Sequence, residues 1–259
     1  GEVSGTIDES LRHAITKLAH IHFPANELAK KRIIQMGEDP KMAFNVGCPR
    51  VDMVLEILKK PKIEVDIFKK YKGVGDPVDI SKKFLLVSQH PVTTEYGQGR
   101  NQIRQTLEAL KELEVPTIML WPNIDAGSED IAKEIRSFRE NNDVDHFLHL
   151  FVNLPPDIYT KLMINCSAII GNSSSAIREG AVIGVPTVTI GTRQIGRQKG
   201  KNVIDTDYDK KQIVNAVRKH LTHGKYKPDY IYGDGKAGKR IAKILSEVKP
   251  EIQKKFFMR

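Results

Sequence analysis

The sequence has 259 residues, of which 40% are hydrophobic and 28% charged, and its formal net charge is +9. This length suits one large or two small domains with a buried core, and the composition is ordinary for a globular protein. No apolar run approaches the ~18 residues that a membrane span needs, and no secretory signal is recognisable. We therefore expect a cytoplasmic protein that does not bind a membrane.

The basic charge raises the question of a nucleic-acid partner. Only 7% of the residues are aromatic, no nucleic-acid-binding module is recognisable, and much of the lysine lies on helix faces or in linker-like stretches. We expect no nucleic-acid partner and interpret the charge as a solvated basic surface, although a small anionic ligand fits it equally well. Cys48 and Cys166 lie in separate apolar stretches without ligand-like spacing, which favours reduced core residues.

The first 82 residues mix helical patterns with a change in composition. DESLRHAITKLAH predicts a helix that runs into a short apolar strand, IHF, and NELAKKRIIQMG predicts a helix with an Asn26 cap and a Gly37 stop. MAFNVGCP predicts a strand that ends at Pro49. Residues 57 to 82 are rich in Lys, Pro, Gly and Asp, which indicates a linker or a domain edge.

From residue 83 onwards, apolar strands alternate with amphipathic helices. The predicted strands are KFLLVSQH, PTIMLWP, HFLHLFV, AIIG and PTVTIG. The predicted helices are NQIRQTLEALKEL, SEDIAKEIRSFRE, PPDIYTKLMINC, SSAIREGAVIG, DKKQIVNAVRKHL and GKRIAKILSEV. This alternation predicts an α/β fold with a doubly wound parallel sheet over residues 83–245. Ligands of such sheets bind at the carboxyl ends of the strands.

Polar residues follow several of these strands, and the most unusual run is GNSSS at residues 171–175. It lies where a strand ends and a helix begins, so free backbone N–H groups, the helix dipole and serine hydroxyls can all attract an anion. The alternative is plain helix capping, for which Ser and Asn are favoured. A cap needs one such residue, whereas this run supplies four. The run therefore points to phosphate binding, with capping left open.

Three further residues are candidates for chemistry at the same rim. Glu179 can accept hydrogen bonds from a ribose diol or be a solvated helix charge, and Arg193 can reach a phosphate oxygen or lie on the surface. His90 ends a strand before Pro91 and can donate to a departing phosphate, act as an acid or base, or be structural. No Walker motif, Rossmann glycine fingerprint or HExxH spacing occurs, so neither a metal nor a redox cofactor is expected.

Six motifs in order carry a resemblance to a known family: GEVSGTIDESLRHAITKLAH, QHPVTT, PNIDAGS, GNSSSAIRE, GTRQIGR and YGDGKAGKRI. They resemble the hydrolysing UDP-N-acetylglucosamine 2-epimerases, including the epimerase half of the bifunctional animal enzyme of sialic acid synthesis and its bacterial relatives. The resemblance implies a GT-B fold, in which the nucleotide sugar lies between two Rossmann-like lobes. It divides the chain into four parts: residues 1–58, a remnant of the N-terminal lobe; 59–82, a linker; 83–247, the complete nucleotide-binding lobe; and 248–259, a segment that crosses back.

The resemblance also implies roles for the nucleotide-binding residues. Ser173 and Ser174 match serines that bind the phosphates, and Glu179 matches the residue that binds the ribose. Arg193 matches an arginine at the nucleotide site. The implied ligands are therefore a UDP-sugar substrate and UDP.

Other matches concern the uridine and the catalytic chemistry. Asn123 and Leu154 match positions beside the uridine, and His90 matches a histidine near the diphosphate that is implicated in catalysis. One of Asp8 and Glu9 faces the sugar in the family. Because the family also uses a carboxylate and an arginine that precede this stretch, the 259 residues alone are expected to be inactive, and the full-length protein is expected to form a dimer or tetramer.

The implied reaction converts UDP-GlcNAc and water into N-acetylmannosamine and UDP, through elimination of UDP and rehydration, in the synthesis of sialic acid-type sugars. Three alternatives stay open at this point. A hydrolysing 2-epimerase of UDP-2,4-diacetamido-trideoxyhexose differs only in its sugar. A non-hydrolysing 2-epimerase usually has an HRREN-like stretch where this sequence has HPVTTE. The third alternative is a UDP-binding fragment without catalysis.

Overall fold

A computed structural model describes residues 1–249 and 252–258 of the chain. Its helices are α1 (Asp8–Leu18), α2 (Glu27–Gln35), α3 (Pro49–Leu58), α4 (Ile67–Lys70), α5 (Gly99–Leu113), α6 (Ser128–Glu140), α7 (Pro156–Asn165), α8 (Ser174–Ile183), α9 (Lys210–His223) and α10 (Ala237–Glu247). Its strands are β1 (Gly73–Val74), β2 (Leu85–Ser88), β3 (Thr117–Leu120), β4 (Leu148–Phe151), β5 (Ala168–Gly171), β6 (Thr187–Ile190) and β7 (Val203–Thr206).

The strands form one sheet in the order β1-β4-β3-β2-β5-β6-β7. Every pairing from β4 to β7 in this order is parallel, and only β1 runs antiparallel, at the edge beside β4. Neighbouring residues of β2 point to opposite faces, so that Leu86 joins one core and Leu85 and Val87 join the other. The α/β fold with a doubly wound, mostly parallel sheet is therefore confirmed.

The chain reverses its direction of winding at the centre of the sheet. It passes from β2 outwards to β3 and β4, then returns to place β5 on the other side of β2. This reversal leaves a crevice beyond the carboxyl ends of β2 and β5, where ligands of such sheets bind. Gly171 permits the close approach, because a Cβ there would lie 2.2 Å from the Ser88 carbonyl oxygen and its φ is +131°.

The two strands predicted in the N-terminal part are wrong. Among residues 1–58, all of which the structure describes, the only β pairing is a single bridge between His22 and Ala43. Each predicted strand finds a partner at one residue only, so neither extends into a ladder. The Asn26 cap is confirmed, since its side chain accepts a hydrogen bond from the Ala29 N–H at 2.8 Å.

The segment predicted to be a linker, residues 59–82, carries α4 and β1. Ile67 of α4 is buried in the core on one face of the sheet, where α3 also packs against α7 and α8. At the other end of the chain, the Lys254 ammonium lies 2.6 Å from the buried Glu38 carboxylate. Residues 250, 251 and 259 of the predicted crossing segment lie outside the described residues. The division into lobes stays a prediction.

Two smaller points concern the sequence-based expectations. Cys48 and Cys166 are free and buried, as predicted. Of the helices in the described part of the chain, none has the length and apolar character that crossing a bilayer requires.

Candidate functional site

The Asn172 side chain joins the two strand ends that border the crevice. Its Oδ1 accepts a hydrogen bond from the His90 N–H at 2.7 Å, and its Nδ2 donates to the His90 carbonyl at 2.8 Å. The Asn172 carbonyl in turn accepts from Gln194 Nε2 at 2.7 Å and from Arg193 Nη1 at 3.3 Å. Asn172 therefore fixes the loops after β2, β5 and β6 relative to one another.

A cleft of about 290 Å³ opens on one side of this junction, and we call it the switch-point cleft. Residues from the ends of β2, β3 and β4 and from α7 and α8 line it, chiefly His90, Trp121, Asn123, Leu154, Tyr159 and Ser173. Arg50 of α3 also reaches its wall. The structure thus brings together four of the predicted site residues, which are His90, Asn123, Leu154 and Ser173.

His90 lies at the base of the switch-point cleft with both ring nitrogens in contact with neighbours. Its Nδ1 accepts the Asn123 backbone N–H at 3.1 Å, so the proton of the neutral ring is on Nε2, which lies 3.2 Å from Ser88 Oγ. Burial, together with the nearby charge of Arg193, lowers the pKa of His90 from its usual value near 6.5 to about 4. At neutral pH the ring is therefore an uncharged hydrogen-bond donor.

The serine run at the start of α8 does not cap the helix. Ser173 is the N-cap residue, yet its side chain makes no hydrogen bond to the first turn. Instead the Ser173 and Ser175 hydroxyls lie 2.9 Å apart, and Ser175 Oγ lies 2.8 Å from the Tyr159 hydroxyl. The positive end of the helix dipole therefore faces the crevice without a side-chain acceptor, which is the arrangement that binds anions.

A second cleft, of about 160 Å³, lies on the other side of the α8 start, and we call it the arginine cleft. Every residue on its wall is polar or charged, and its main residues are Asp8, Arg12, Ser174, Arg178, Arg193 and Arg197. The buried Nε atoms of all four arginines have no hydrogen-bond partner. Glu2 pairs with Arg197, and the Ser4 hydroxyl accepts from Arg12. Because the cleft has four arginines and only two carboxylates, Glu2 and Asp8, its net charge is positive and it is able to hold an anion.

Arg193 lies between the two clefts. Its guanidinium contacts the Asp125 carboxylate at 3.6 Å, in addition to the Asn172 carbonyl. Burial lowers the pKa of Arg193, whereas the charges of Asp125 and Asp8 raise it. Asp125, which had no predicted role, is thus a partner that holds this arginine at the start of α8.

Two predicted site residues, Glu179 and Glu9, are not on the main walls of either cleft. Glu179 is 3% exposed, and its carboxylate lies 3.4 Å from Arg50 Nε and 3.7 Å from Arg178 Nε. Burial raises the pKa of Glu179, against the opposing effect of the two arginines. Glu9 accepts a hydrogen bond from the Ser4 N–H at 3.1 Å, whereas Asp8, one residue earlier, lines the arginine cleft. Of the two carboxylates, Asp8 is therefore the one that lines a cleft.

Several residues of the two clefts were not predicted from the sequence, namely Arg12, Arg50, Tyr159, Arg178 and Arg197. A signal was available for two of them: Arg12 follows Asp8 by four positions on α1, and Arg178 follows Ser174 by four positions on α8. Residues four apart share one face of a helix, so both arginines lie beside predicted site residues.

In the residues that the structure describes, no three His, Cys, Asp or Glu side chains are grouped so that they could hold a metal ion.

Comparison with known proteins gives matches over most of the chain. The family model described as UDP-N-acetylglucosamine 2-epimerase matches residues 1–246. A UDP-N,N'-diacetylbacillosamine 2-epimerase (hydrolyzing) of Legionella pneumophila is 35% identical over 248 residues, which are 96% of this chain. A UDP-N-acetylglucosamine 2-epimerase of Neisseria meningitidis serogroup B is 34% identical over 249 residues, which are 95% of this chain. The chain spans 63% of the length of each of these two relatives.

Solved structures share the fold. The UDP-GlcNAc 2-epimerase from Neisseria meningitidis bound to UDP-GlcNAc aligns with a TM-score of 0.70 and 17% identity, covering 90% of this chain and 63% of that one. The Methanocaldococcus jannaschii UDP-GlcNAc 2-epimerase in complex with UDP-GlcNAc and UDP aligns with a TM-score of 0.66 and 20% identity, covering 89% and 62%. These likenesses confirm the predicted GT-B type of α/β fold.

Proposed function

Since the chain belongs to the UDP-N-acetylglucosamine 2-epimerase family, we propose that the complete protein is a hydrolysing UDP-GlcNAc 2-epimerase whose substrate spans the two clefts. The observation that carries this proposal is the start of α8, which lies between the clefts without a side-chain cap. An uncapped helix start at the crevice of a doubly wound sheet suits a diphosphate.

The uridine and ribose belong in the switch-point cleft in this proposal. Trp121 and Leu154 supply apolar surface for the base at its wall, and Asn123 lies beside them. Glu179 keeps one buried carboxylate oxygen without a hydrogen-bond partner, which supports its role as an acceptor for a ribose hydroxyl. Arg50 contacts both this carboxylate and the cleft, so it holds Glu179 in place as the ribose binds.

The diphosphate lies against Ser173, Ser174 and Arg193, with the sugar in the arginine cleft beyond it. The C2 proton of the sugar is not acidic, since no carbonyl group is attached to that carbon. The reaction therefore begins with cleavage of the bond between C1 and the phosphate oxygen, whose electron pair leaves with UDP. Donors that contact the diphosphate stabilise this leaving group more in the transition state than in the ground state.

Loss of the C2 proton to a carboxylate then gives a 2-acetamidoglucal. Water then adds across the double bond. Its hydroxyl goes to C1, and a proton goes to C2 on the face opposite to the one that lost its proton, which gives N-acetylmannosamine. Asp8 lines the arginine cleft and is the carboxylate of this chain that we assign to the sugar. His90, neutral at pH 7, supports the departure of UDP indirectly, because its Nε2–H faces the Ser88 hydroxyl at the wall of the cleft.

The polar wall of the arginine cleft supports UDP-GlcNAc over its trideoxy relative. GlcNAc presents hydroxyls at C4 and C6, which charged and hydroxyl side chains can bind. A 2,4-diacetamido-trideoxy sugar presents a methyl group at C6 and a second acetamido methyl, which favour apolar contacts. That sugar is the second candidate for this protein, because the Legionella relative is named for it. If UDP-GlcNAc is the substrate, the product N-acetylmannosamine suits the synthesis of sialic acid-type sugars. That the protein is cytoplasmic and forms a homo-oligomer stays a prediction.

The test is to incubate the complete protein with UDP-GlcNAc and, separately, with UDP-N,N'-diacetylbacillosamine, and to follow free UDP and the released sugar by NMR. We expect N-acetylmannosamine and UDP from the first substrate and much slower turnover of the second. Release of 2-epimerised UDP-sugar without free UDP would instead identify a non-hydrolysing enzyme.

Binding can be tested on the 259-residue chain itself, from which we expect no turnover. Calorimetry should show UDP binding that weakens by about tenfold or more when Ser173→Ala is combined with Ser174→Ala. Equal affinity of the wild type and this double variant would show that the diphosphate does not bind at the start of α8.

A further inference from the structure

Tyr159 has a position that neither the reaction nor the binding of uridine explains. It projects from α7 into the switch-point cleft, and its hydroxyl lies 2.8 Å from Ser175 Oγ. Burial raises the pKa of Tyr159 to about 12, so the hydroxyl keeps its proton at neutral pH. The Tyr159 hydroxyl therefore contacts the serine run at the start of α8.

This contact continues as a row of hydrogen bonds along the wall of the cleft. The Tyr159 hydroxyl contacts Ser175, and Ser175 Oγ lies 2.9 Å from Ser173 Oγ. The row begins at Tyr159 and ends at the N-cap residue of α8.

An anion at the start of α8 determines the direction of the protons in this row. The anion can only accept, so Ser173 must donate to it. Ser173 Oγ then accepts from Ser175, and Ser175 Oγ accepts from the Tyr159 hydroxyl. Hydrogen bonds aligned in this way polarise and strengthen one another.

We propose that Tyr159 is a positioning residue for the diphosphate, because its hydroxyl orients the Ser175 and Ser173 protons towards the start of α8. This inference rests on the proposed function, which supplies the diphosphate. Tyr159 acts through the two serines and needs no contact with the ligand.

The test uses Tyr159→Phe in the 259-residue chain, which removes the hydroxyl and keeps the ring. We expect UDP affinity to fall about fivefold, as for the loss of one neutral hydrogen bond. Uridine lacks the diphosphate, so its affinity, measured by NMR titration, should stay within about twofold of the wild-type value. Tyr96→Phe, which changes a tyrosine that is 75% exposed, is the matched control and should leave both affinities unchanged.

A double-mutant cycle makes the test stricter. Ser175→Ala breaks the same row one step later, so it should weaken UDP binding about as much as Tyr159→Phe, and the double variant should bind no worse than either single one. Additive losses, or equal losses for UDP and uridine, would overturn the positioning role. Wild-type affinity in Tyr159→Phe would also overturn it, whereas failure of the wild type to bind UDP would instead refute the proposed function.

Discussion

The two clefts on either side of the α8 start are built from different chemistry. The switch-point cleft contains a neutral His90 whose ring nitrogens both have partners, and hydroxyls that contact one another. The arginine cleft contains four guanidinium groups whose buried Nε atoms have none. The guanidinium groups have other contacts, to Glu2, Ser4, Asp125 and Ser174. A buried donor without an acceptor is nevertheless costly, whereas paired neutral groups are not. The comparison teaches that hydrogen bonding is largely satisfied in the switch-point cleft, whereas the arginine cleft keeps buried unpaired donors, which favours an anion there.

The difference follows from the elements that build each cleft. The switch-point cleft lies at strand ends that the parallel sheet and Asn172 hold rigidly. The arginine cleft combines α1 with α8 and the loop after β6, so three separate elements contribute its cations. We therefore expect changes in the sheet to affect the whole protein, and changes in the arginine cleft to affect anion binding.

The largest expected effect is that of Gly171→Ala, which would break the junction on which both clefts depend. A Cβ at this position would meet the Ser88 carbonyl oxygen at 2.2 Å, and the residue would keep a φ of +131°. We expect the free energy of unfolding to fall by more than about 3 kcal/mol, measured by urea denaturation.

Gly97→Ala is the matched control, since Gly97 also has a positive φ, +84°, but has no atom within 4 Å of the Cβ position. It should cost about 1 kcal/mol, the conformational contribution alone. Similar losses in the two variants would show that the close approach of β5 to β2 is not what requires glycine.

The second prediction concerns the neutrality of the switch-point cleft. Above pH 6.5, the His90 ring is uncharged in both the folded and the unfolded chain. Between pH 6.5 and 4 only the unfolded chain gains the proton, because burial holds the pKa of the folded chain at about 4. Wild-type stability should therefore fall over this range by on the order of 3 kcal/mol from this residue. His90→Gln should remove that part of the loss.

The control for this titration is His146→Gln, which replaces a histidine whose side chain is 53% exposed. Its free energy of unfolding should follow that of the wild type between pH 7 and 4. If the His90→Gln curve has the same slope as the wild-type curve, the ring is not held neutral by the fold.

The third prediction tests the charge of the arginine cleft. Arg193→Ala should weaken UDP binding by about ten- to a hundredfold in calorimetry, since a charge-assisted hydrogen bond to the diphosphate is lost. Arg218→Ala removes an equal charge from an exposed position on α9 and should leave the affinity unchanged. A parallel loss in both variants would mean that net charge, and not the position of Arg193, attracts the nucleotide.

The sheet was largely predictable because its signals are local. The segments AIIG and PTVTIG are short apolar runs beside turn residues, and both form strands. β7 was missed because Val203–Thr206 is an edge strand with partly exposed, non-alternating residues. The predicted strands at IHF and MAFNVGCP failed because strand formation requires a partner over several residues, and apolar character alone does not supply one.

The site was predictable only where its residues stand out in the sequence. The serine run and His90 before Pro91 are unusual at strand ends, whereas Arg12 and Arg178 look like ordinary solvated charges on helices. Their place in the arginine cleft depends on α1 meeting the start of α8, which is a tertiary contact that no local pattern encodes. Tyr159 was missed for the same reason, since the serine that its hydroxyl contacts lies on another helix.

The smallest expected effect distinguishes the two acidic residues at the start of α1. Asp8 lines the arginine cleft and favours the charged form of Arg193, whereas the Glu9 carboxylate accepts the Ser4 N–H. Asp8→Asn removes a negative charge from a site that must hold a diphosphate, so UDP affinity should rise about two- to threefold at low salt and the gain should shrink at high salt. Glu9→Gln makes the same change in charge one residue later and should leave the affinity unaltered. The reverse result, with Glu9→Gln alone increasing affinity, would assign the sugar-facing carboxylate to Glu9.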